Sequence, residues 1–456
     1  MTGGEAFEAL NHAGQLRKRL IVVLNDNGMS IDTNVGAMSE YLSRLRVMPQ
    51  YNKAKKDIEG LLRSIPHIGD TVLKTAEYIK DGVKSVLVPG GIFEEMGFTY
   101  VGPLDGHNLR ILREVFSEIR LMDGPVLVHV HTKKGRGYLP AEVEPDKFHG
   151  VGAFEVVSGQ VKKDEGAPPT YTEIFGQTLV ELAAENPAIT AITAAMPGGT
   201  GLKAFAEKFP DRYFDVGIAE EHAVTLAAGM AAAGKRPVAA IYSTFAQRAF
   251  DQMVHDVCLQ NLPVTLCLDR AGLVGDDGPT HHGVFDLSYL RMMPNMTVMA
   301  PKDEDELRRM LITALSLDGP AVLRYPRGAA AGVPLTDDVQ PLPLGKGEVL
   351  REGGEVCFLT VGSMTANALA AADLLAAEGV AAGVVNMRFV KPLDRERILA
   401  AAGRAKLLVT AEENVLAGGF GAAVAECLAD AGRVVPLLRL GIPSTKIGRA
   451  SCRERV

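Results

Sequence analysis

The chain has 456 residues, with 48 basic and 55 acidic side chains, a formal charge of −7 and 47% hydrophobic residues. That length exceeds one ordinary hydrophobic core, so two to three domains are expected. The acidic balance argues against nucleic acid or another general polyanion as partner, so an anionic ligand has to meet a local arginine cluster. Cys258, Cys267, Cys357, Cys427 and Cys452 form no Cys-x-x-Cys pair, no apolar run reaches the ~18 residues of a membrane span, and no signal-peptide pattern opens the sequence. The reading is a soluble cytoplasmic protein with reduced thiols and no membrane partner.

Strand-like runs alternate with helical ones almost throughout, the pattern of an α/β protein with parallel sheets covered by helices. The first strand, at 19–24, ends in Asn25-Asp26-Asn27-Gly28-Met29. Open α/β sheets present ligands at such strand ends, although an Asn-Gly pair is also an ordinary turn. Residues 51–88 are polar and largely helical, with Ile58, Leu61, Leu62 and Ile65 close to a 3.6-residue period and a break at Pro66. A buried strand follows at 125–131, then a turn-rich connection at 145–169 that marks a boundary.

The second unit reads as a helix at 171–186, a strand at 188–193 and the loop Met196-Pro197-Gly198-Gly199-Thr200-Gly201. Helices starting near Glu220 and Thr244, a strand at 263–268, a glycine-rich loop at 271–283 and a strand with a turn at 320–328 complete it. A third unit begins near Gly345, with strands at 356–359, 382–386 and 405–409 between Ala-rich helices. The expected domains are therefore 1–150, 169–333 and 344–443, joined by a linker at 151–168. Residues 446–456 carry no amphipathic period and read as a non-native tail.

Four clusters carry chemistry. The first is the Asn25–Asn27 strand end. In the second, Glu220 follows an apolar stretch and opens an Ala-rich helix. There it either favours the helix dipole or presents a carboxylate for proton handling from an apolar wall. In the third, Thr244 can cap a helix on which Phe245, Ala249 and Met253 share a face, while Arg248 and Gln252 face a pocket or solvent. The fourth is the loop from Asp269-Arg270 through Asp277 to His281-His282, which packing alone does not explain. Adjacent histidines rarely point to one ion, which weakens a metal reading. Arg327 adds a second cation in its own turn, and paired arginines are the usual answer to a phosphate, because the planar fork grips it bidentately.

Asn25-Asp26-Asn27-Gly28-Met29-Ser30-Ile31, Gly102-Pro103-Leu104-Asp105-Gly106-His107, Lys134-Gly135-Arg136-Gly137-Tyr138, Ile218-Ala219-Glu220-Glu221-His222, the run from Tyr242 to Arg248, the loop 269–281 and Arg324-Tyr325-Pro326-Arg327-Gly328 occur in one order. In this the chain resembles the 1-deoxy-D-xylulose-5-phosphate synthase family, transketolase-like transferases that use thiamine diphosphate, and the resemblance spans residues 2–443. It implies three α/β domains: a diphosphate-binding, a pyrimidine-binding and a C-terminal domain, the first and last incomplete. It also implies a homodimer that condenses pyruvate with D-glyceraldehyde 3-phosphate, losing CO2, to give 1-deoxy-D-xylulose 5-phosphate for isoprenoid, thiamine and pyridoxal synthesis.

By motif, the resemblance implies that Glu220 hydrogen-bonds the cofactor's aminopyrimidine and favours its imino tautomer, with Phe245 packed on that ring. Asn27 and the Met29 carbonyl ligate Mg2+, whose preference is for oxygen, and Tyr138 contacts the cofactor. Arg270 and Arg327, helped by Tyr242 and Arg248, bind the sugar phosphate. Asp277 and His281 line the acceptor site, and His149 faces the reacting centre.

Two departures stand beside these implications. The family places Gly-Asp-Gly, with a Mg2+ ligand, just ahead of Thr2-Gly3-Gly4, and it continues past Pro443. A fragment with little synthase activity is therefore expected. The rival readings are a transketolase, which should differ across 269–281, a 2-oxo acid dehydrogenase β-type subunit, which should lack the Asn25–Asn27 strand, and a non-catalytic remnant.

Overall fold

The structure, a computed structural model, describes residues 3–47, 91–161, 166–337 and 339–443. The helical stretch expected at 51–88 and the tail at 446–456 lie outside the described residues. The chain divides into two compact units, Met1–Lys162 and Lys163–Val456. Among the described residues no helix is long and apolar enough to cross a membrane.

The first unit is built on three parallel strands, β1 (Leu20–Asp26), β2 (Thr99–Asp105) and β3 (Pro125–His131), in the order β1-β3-β2. β3 is the middle strand and all but its last residue are buried, as an apolar run covered on both faces requires. Phe93, Phe98 and Leu127 belong to one apolar cluster, and Ile119, Val126 and Val128 to another. β1 runs two residues beyond the expected end, pairing Asp26 with His131, and this brings its polar terminus beside the histidines of β3. β2 escaped the sequence reading because Gly102-Pro103 interrupts it, and the register slips between Val101 and Leu104. Gly102 is required there: its φ is +143°, and a Cβ would sit 2.5 Å from the His129 carbonyl oxygen.

The second unit holds two sheets. The chain lays down β4 (Ile189–Thr193), β5 (Tyr213–Asp215), β6 (Arg236–Tyr242), β7 (Thr265–Asp269), β8 (Thr297–Met299) and β9 (Ala321–Arg324). It then adds β10 (Glu348–Arg351), β11 (Val356–Thr360), β12 (Ala382–Asn386), β13 (Phe389–Lys391), β14 (Leu407–Val415) and β15 (Leu437–Ile442). One sheet has the order β13-β8-β9-β7-β6-β4-β5 and the other β10-β12-β11-β14-β15. Among the described strands of these two sheets, the β10–β12 and β13–β8 pairings are antiparallel and the rest are parallel. β13 crosses from the later segment to the edge of the earlier sheet, which ties the two sheets together through backbone hydrogen bonds. The corner between β12 and β13 turns on Arg388, at φ +58°, and is held by the buried Glu306. That carboxylate accepts from Asn386 Nδ2 at 3.0 Å and from Arg388 Nε at 2.6 Å.

The run after β6 was expected to be one helix capped by Thr244. Instead it breaks into an α turn (Ser243–Ala246), a 3₁₀ turn (Gln247–Ala249), a short α turn (Phe250–Gln252) and a π segment (Met253–Cys258). Thr244 lies inside the first turn and its hydroxyl donates to the Thr280 carbonyl at 3.1 Å. Tertiary bonding to the 271–283 loop has replaced the cap. Ser243, which opens the run, donates at 3.0 Å to Asp286, and the buried Arg324 pairs with the same carboxylate oxygen at 2.9 Å.

Glu412 on β14 caps the helix Phe420–Asp430, accepting from Phe420 N at 2.7 Å and Gly421 N at 2.8 Å. Burial pushes its carboxyl from 4.5 up to about 7, against the pull of those N–H groups and of Arg324 and Arg439. A carboxyl whose pKa is raised on folding binds its proton more tightly in the native state, so stability falls as pH rises from the unfolded pKa through the folded one. Glu412 is thus expected to take away on the order of 3 kcal/mol between pH 4.5 and 7. Urea unfolding at pH 5 and pH 8 checks this: Glu412→Gln should lose that pH-dependent component, and an unchanged slope would show that the carboxyl does not titrate there.

Candidate active site

In the first unit, the polar end of β1 is fixed by its own side chains. Asp26 Oδ1 accepts from Gly28 N at 3.1 Å, Asn27 Oδ1 accepts from Met29 N at 3.0 Å, and Thr132 donates to Asn25 Oδ1 at 2.6 Å. Gly28 has φ +77°, a conformation glycine takes without strain. Asp26 is buried, and its Oδ2 lies 3.1 Å from His129 Nε2 and 3.8 Å from His131 Nε2. His129 is fully buried, with Nδ1 2.7 Å from the Tyr100 hydroxyl. The sequence reading missed this Asp–His–Tyr group. The available signal was His129 and His131 in alternation on β3, which puts both on one face of the sheet.

Tyr138 packs edge-on against Phe148, with ring centroids 5.5 Å apart, and donates to the Val156 carbonyl at 2.7 Å. His149 is exposed, with Nδ1 2.8 Å from Lys134 Nζ. Burial lowers the pKa of that lysine, while Asp146 and Asp32 pull it back up.

In the second unit, Glu220 is the first residue of the helix Glu220–Ala232 and is 2% exposed. Its Oε1 pairs with Arg248 Nη1 at 2.6 Å, and its buried Oε2 has no hydrogen-bond partner. Burial pushes this carboxyl's pKa up, and Arg248 pulls it down through charge and hydrogen bond. The Arg248 guanidinium stands 5.0 Å from the Phe245 ring centre, Phe245 stacks on Tyr242 at 5.7 Å, and Arg270 lies 4.1 Å from the Tyr242 ring centre. The result is a cation–ring–ring–cation column, each contact of which is attractive. His281 meets Phe245 edge-on at 5.4 Å.

Arg270 has φ +58°. Its guanidinium is held by the fully buried Asp269 at 2.9 Å and donates to the Gly199 carbonyl at 2.7 Å. The Thr172 hydroxyl takes the other Asp269 oxygen at 2.7 Å. A Cβ on Gly199 would meet the Tyr242 hydroxyl at 2.3 Å, so the loop at 196–201 closes directly over these groups. Thr172, Gly199 and Asp269 are site-building residues that sequence reasoning passed over, because each acts through a contact far away in sequence. Arg327 pairs with Asp277 at 3.1 Å. Burial raises the Tyr242 phenol to about 12, leaving it a proton donor at neutral pH.

Glu220, Tyr242, Phe245, Arg248, Arg270 and His281 thus form one connected constellation, with Asp277 and Arg327 as a neighbouring pair. Asn27, Met29, Tyr138 and His149 lie in the first unit. Arg248, expected at a sugar phosphate, has the Glu220 carboxylate as its ion-pair partner.

Residues 1–132 match the family described as 1-deoxy-D-xylulose-5-phosphate synthase, 167–332 the transketolase pyrimidine binding domain and 345–454 the transketolase C-terminal domain. The 1-deoxy-D-xylulose-5-phosphate synthase of Pelotomaculum thermopropionicum is 61% identical over 98% of this chain and 70% of its own length. The chain belongs to the 1-deoxy-D-xylulose-5-phosphate synthase family. Synthase 1 of Geobacter sulfurreducens is 60% identical over 97% of this chain and 70% of its own. Among solved structures, a split-gene transketolase described as an inactive β4 tetramer aligns at 38% identity and a TM-score of 0.55, covering 61% of this chain and 90% of that one. The chain is therefore a transketolase-type transferase of a thiamine diphosphate-dependent family.

Because Arg248 holds one oxygen of a buried carboxylate, Arg248→Gln is expected to raise the Glu220 pKa further: the charge and hydrogen bond that favour the ionised form go, and the burial stays. Carbon-13 NMR of labelled glutamate carboxyls against pH would show it. An unmoved Glu220 resonance would mean that the pair contributes nothing to its ionisation.

Proposed function

We propose that the residues of this chain serve an enzyme that condenses pyruvate with D-glyceraldehyde 3-phosphate, with loss of CO2, to 1-deoxy-D-xylulose 5-phosphate, using thiamine diphosphate and Mg2+ in a homodimer and supplying isoprenoid, thiamine and pyridoxal synthesis. One observation carries the reading: Glu220 is buried, clamped on one oxygen and unpartnered on the other. A buried acceptor without a partner costs about 1–3 kcal/mol, and a ring nitrogen of an aminopyrimidine is a group that relieves it.

When bound, thiamine diphosphate supplies the nucleophilic carbon and the electron sink for decarboxylation. With the cofactor bound, Glu220 Oε2 would be the acceptor for the aminopyrimidine and would hold the proton there, a task that suits a carboxyl whose pKa burial has raised. Arg248 fixes the carboxylate plane, and Phe245, braced by Tyr242 and Arg248, gives the pyrimidine a flat wall. Asn27 and the Met29 carbonyl supply oxygen ligands of the kind Mg2+ takes, and the Asx turn at Asn27 holds them together. Tyr138 would contact the cofactor and His149 would serve the reacting centre.

Arg270 and Arg327, with Tyr242 donating, bind the phosphate of the aldehyde, and Asp277 and His281 line its path. Asp269 and the Gly199 carbonyl hold the Arg270 guanidinium in place.

Two substitutions test the reading. Made in a full-length version of the enzyme, Glu220→Gln should leave the circular dichroism unchanged and lower product formation by about 10²–10⁴. Thiamine diphosphate that fails to bind the unmodified chain in calorimetry, with Mg2+ present, would sink the assignment. Arg327→Ala, at a half-exposed position, should weaken use of glyceraldehyde 3-phosphate by one to two decades in kcat/KM, the equivalent of roughly 1.5–3 kcal/mol for a charge-assisted contact. The KM for pyruvate should barely change, and equal losses for both substrates would give Arg327 a structural role instead.

A further inference from the structure

We propose that Asp26, His129 and His131 form a transition-metal site, separate from the Asn27 and Met29 oxygens and selective for ions such as Zn2+ or Co2+ over Mg2+. One ligand atom from each lies within 4.8 Å of the other two, with Asp26 Oδ2 3.1 Å from His129 Nε2 and 3.8 Å from His131 Nε2. Bonds of about 2.0–2.2 Å in tetrahedral geometry put neighbouring ligand atoms roughly 3.3 Å apart. The first pair already has that separation, and the second needs a shift of about half an ångström, within reach of a side chain that is 26% exposed.

The donor set decides the kind of ion. Two imidazoles and one carboxylate suit Zn2+, Co2+ or Ni2+, whereas Mg2+ takes oxygen and keeps its waters. The surroundings are arranged as such a site needs. Tyr100 stands 2.7 Å from His129 Nδ1, so with an ion bound Nδ1–H donates to the phenol oxygen and Nε2 is the ligand, the usual way an outer partner fixes the tautomer. Asp26 Oδ1 accepts from Gly28 N at 3.1 Å, and Oδ2 is the oxygen that faces His129 and His131. The ion would also brace the turn that carries Asn27. The site does not depend on the reaction proposed above.

The test uses the full chain, stripped of metal and titrated with Co2+ in excess Mg2+. Wild type should develop the intense visible bands of four-coordinate Co2+, saturating at one ion per chain, and Zn2+ should abolish them. His131→Ala should weaken binding by tenfold or more. Tyr100→Phe keeps the ring that stacks on Phe93 at 5.9 Å and removes only the hydroxyl, and it should cost about 10–100-fold in affinity. Weak bands of six-coordinate Co2+, or affinities equal to wild type in both variants, would overturn the proposal and leave Asp26–His129 as a buried ion pair alone.

Discussion

The loops that carry the candidate site depend on one repeated constraint: an aspartate as the last residue of a strand, its carboxylate taking up an N–H of the loop that leaves the sheet. Asp26 ends β1 and accepts from Gly28 N, and Asp105 ends β2 and accepts from His107 N. Asp215 ends β5 and accepts from both Ala195 N and Gly217 N, and Asp269 ends β7 and accepts from Arg270 N. At the end of a strand the ladder stops, and the next N–H groups need new partners. A short carboxylate at that point supplies one and directs the chain into a defined turn. The consequences are local and functional: the Asp26 turn carries Asn27, the Asp215 turn leads to Glu220, and the Asp269 contact seats Arg270. His107, placed by Asp105, in turn accepts from Lys133 N at the start of the loop that reaches Tyr138.

The second unit adds rigidity of another kind. Arg248, Phe245, Tyr242 and Arg270 stack in series between two carboxylates, Glu220 at one end and Asp269 at the other. Neither arginine is free to collapse onto the other's acid, because two aromatic rings stand between them. Arg324 and Asp286, both buried, hold Ser243 at the base of this column, and Arg324 also donates to the Glu413 carbonyl on β14. The later sheet therefore supports the column although none of its residues belongs to the column. With β13 and the Glu306 corner, this gives the C-terminal segment a supporting part in the site's geometry.

Much of this architecture was legible in the sequence, for reasons that also mark the limits. Buried parallel strands read as continuous apolar runs, so β3, β4, β7, β11 and β12 were placed to within a few residues, and the edge strand β1 was found by its apolar run although Leu20 and Val23 are exposed. β2 was missed because Gly102-Pro103 looks like a turn, and β13 because three residues that complete another segment's sheet carry no period of their own. The broken helix after β6 was read as regular, since its apolar spacing is helical and its departure comes from bonds to the 271–283 loop. Residue types at the site were legible too, but not their pairings. Asp26 with His129, Arg248 with Glu220 and Arg270 with Gly199 are separated by 103, 28 and 71 residues, and local pattern carries no information at that range.

Arg248 shows why the pairing matters more than the residue type. A guanidinium near the loop that carries Arg270 suggests an anion-binding role, and the proposed phosphate contact needs only Arg270 and Arg327. Glu220, by contrast, has no other cation within hydrogen-bonding reach among the described residues. A carboxylate buried to this degree without a partner would neutralise itself. With both oxygens satisfied, it would be an inert ion pair. Pairing one oxygen and leaving the other bare keeps the carboxyl between those limits, with a raised pKa and a vacant acceptor. A group that must exchange a proton with a bound ring needs that intermediate state, and a half-exposed arginine can sustain it because its charge is screened on the solvent side. Full burial of Arg248 would tie the proton equilibrium more firmly to the ionised carboxylate, and full exposure would leave only the Glu220 backbone N–H to set against burial.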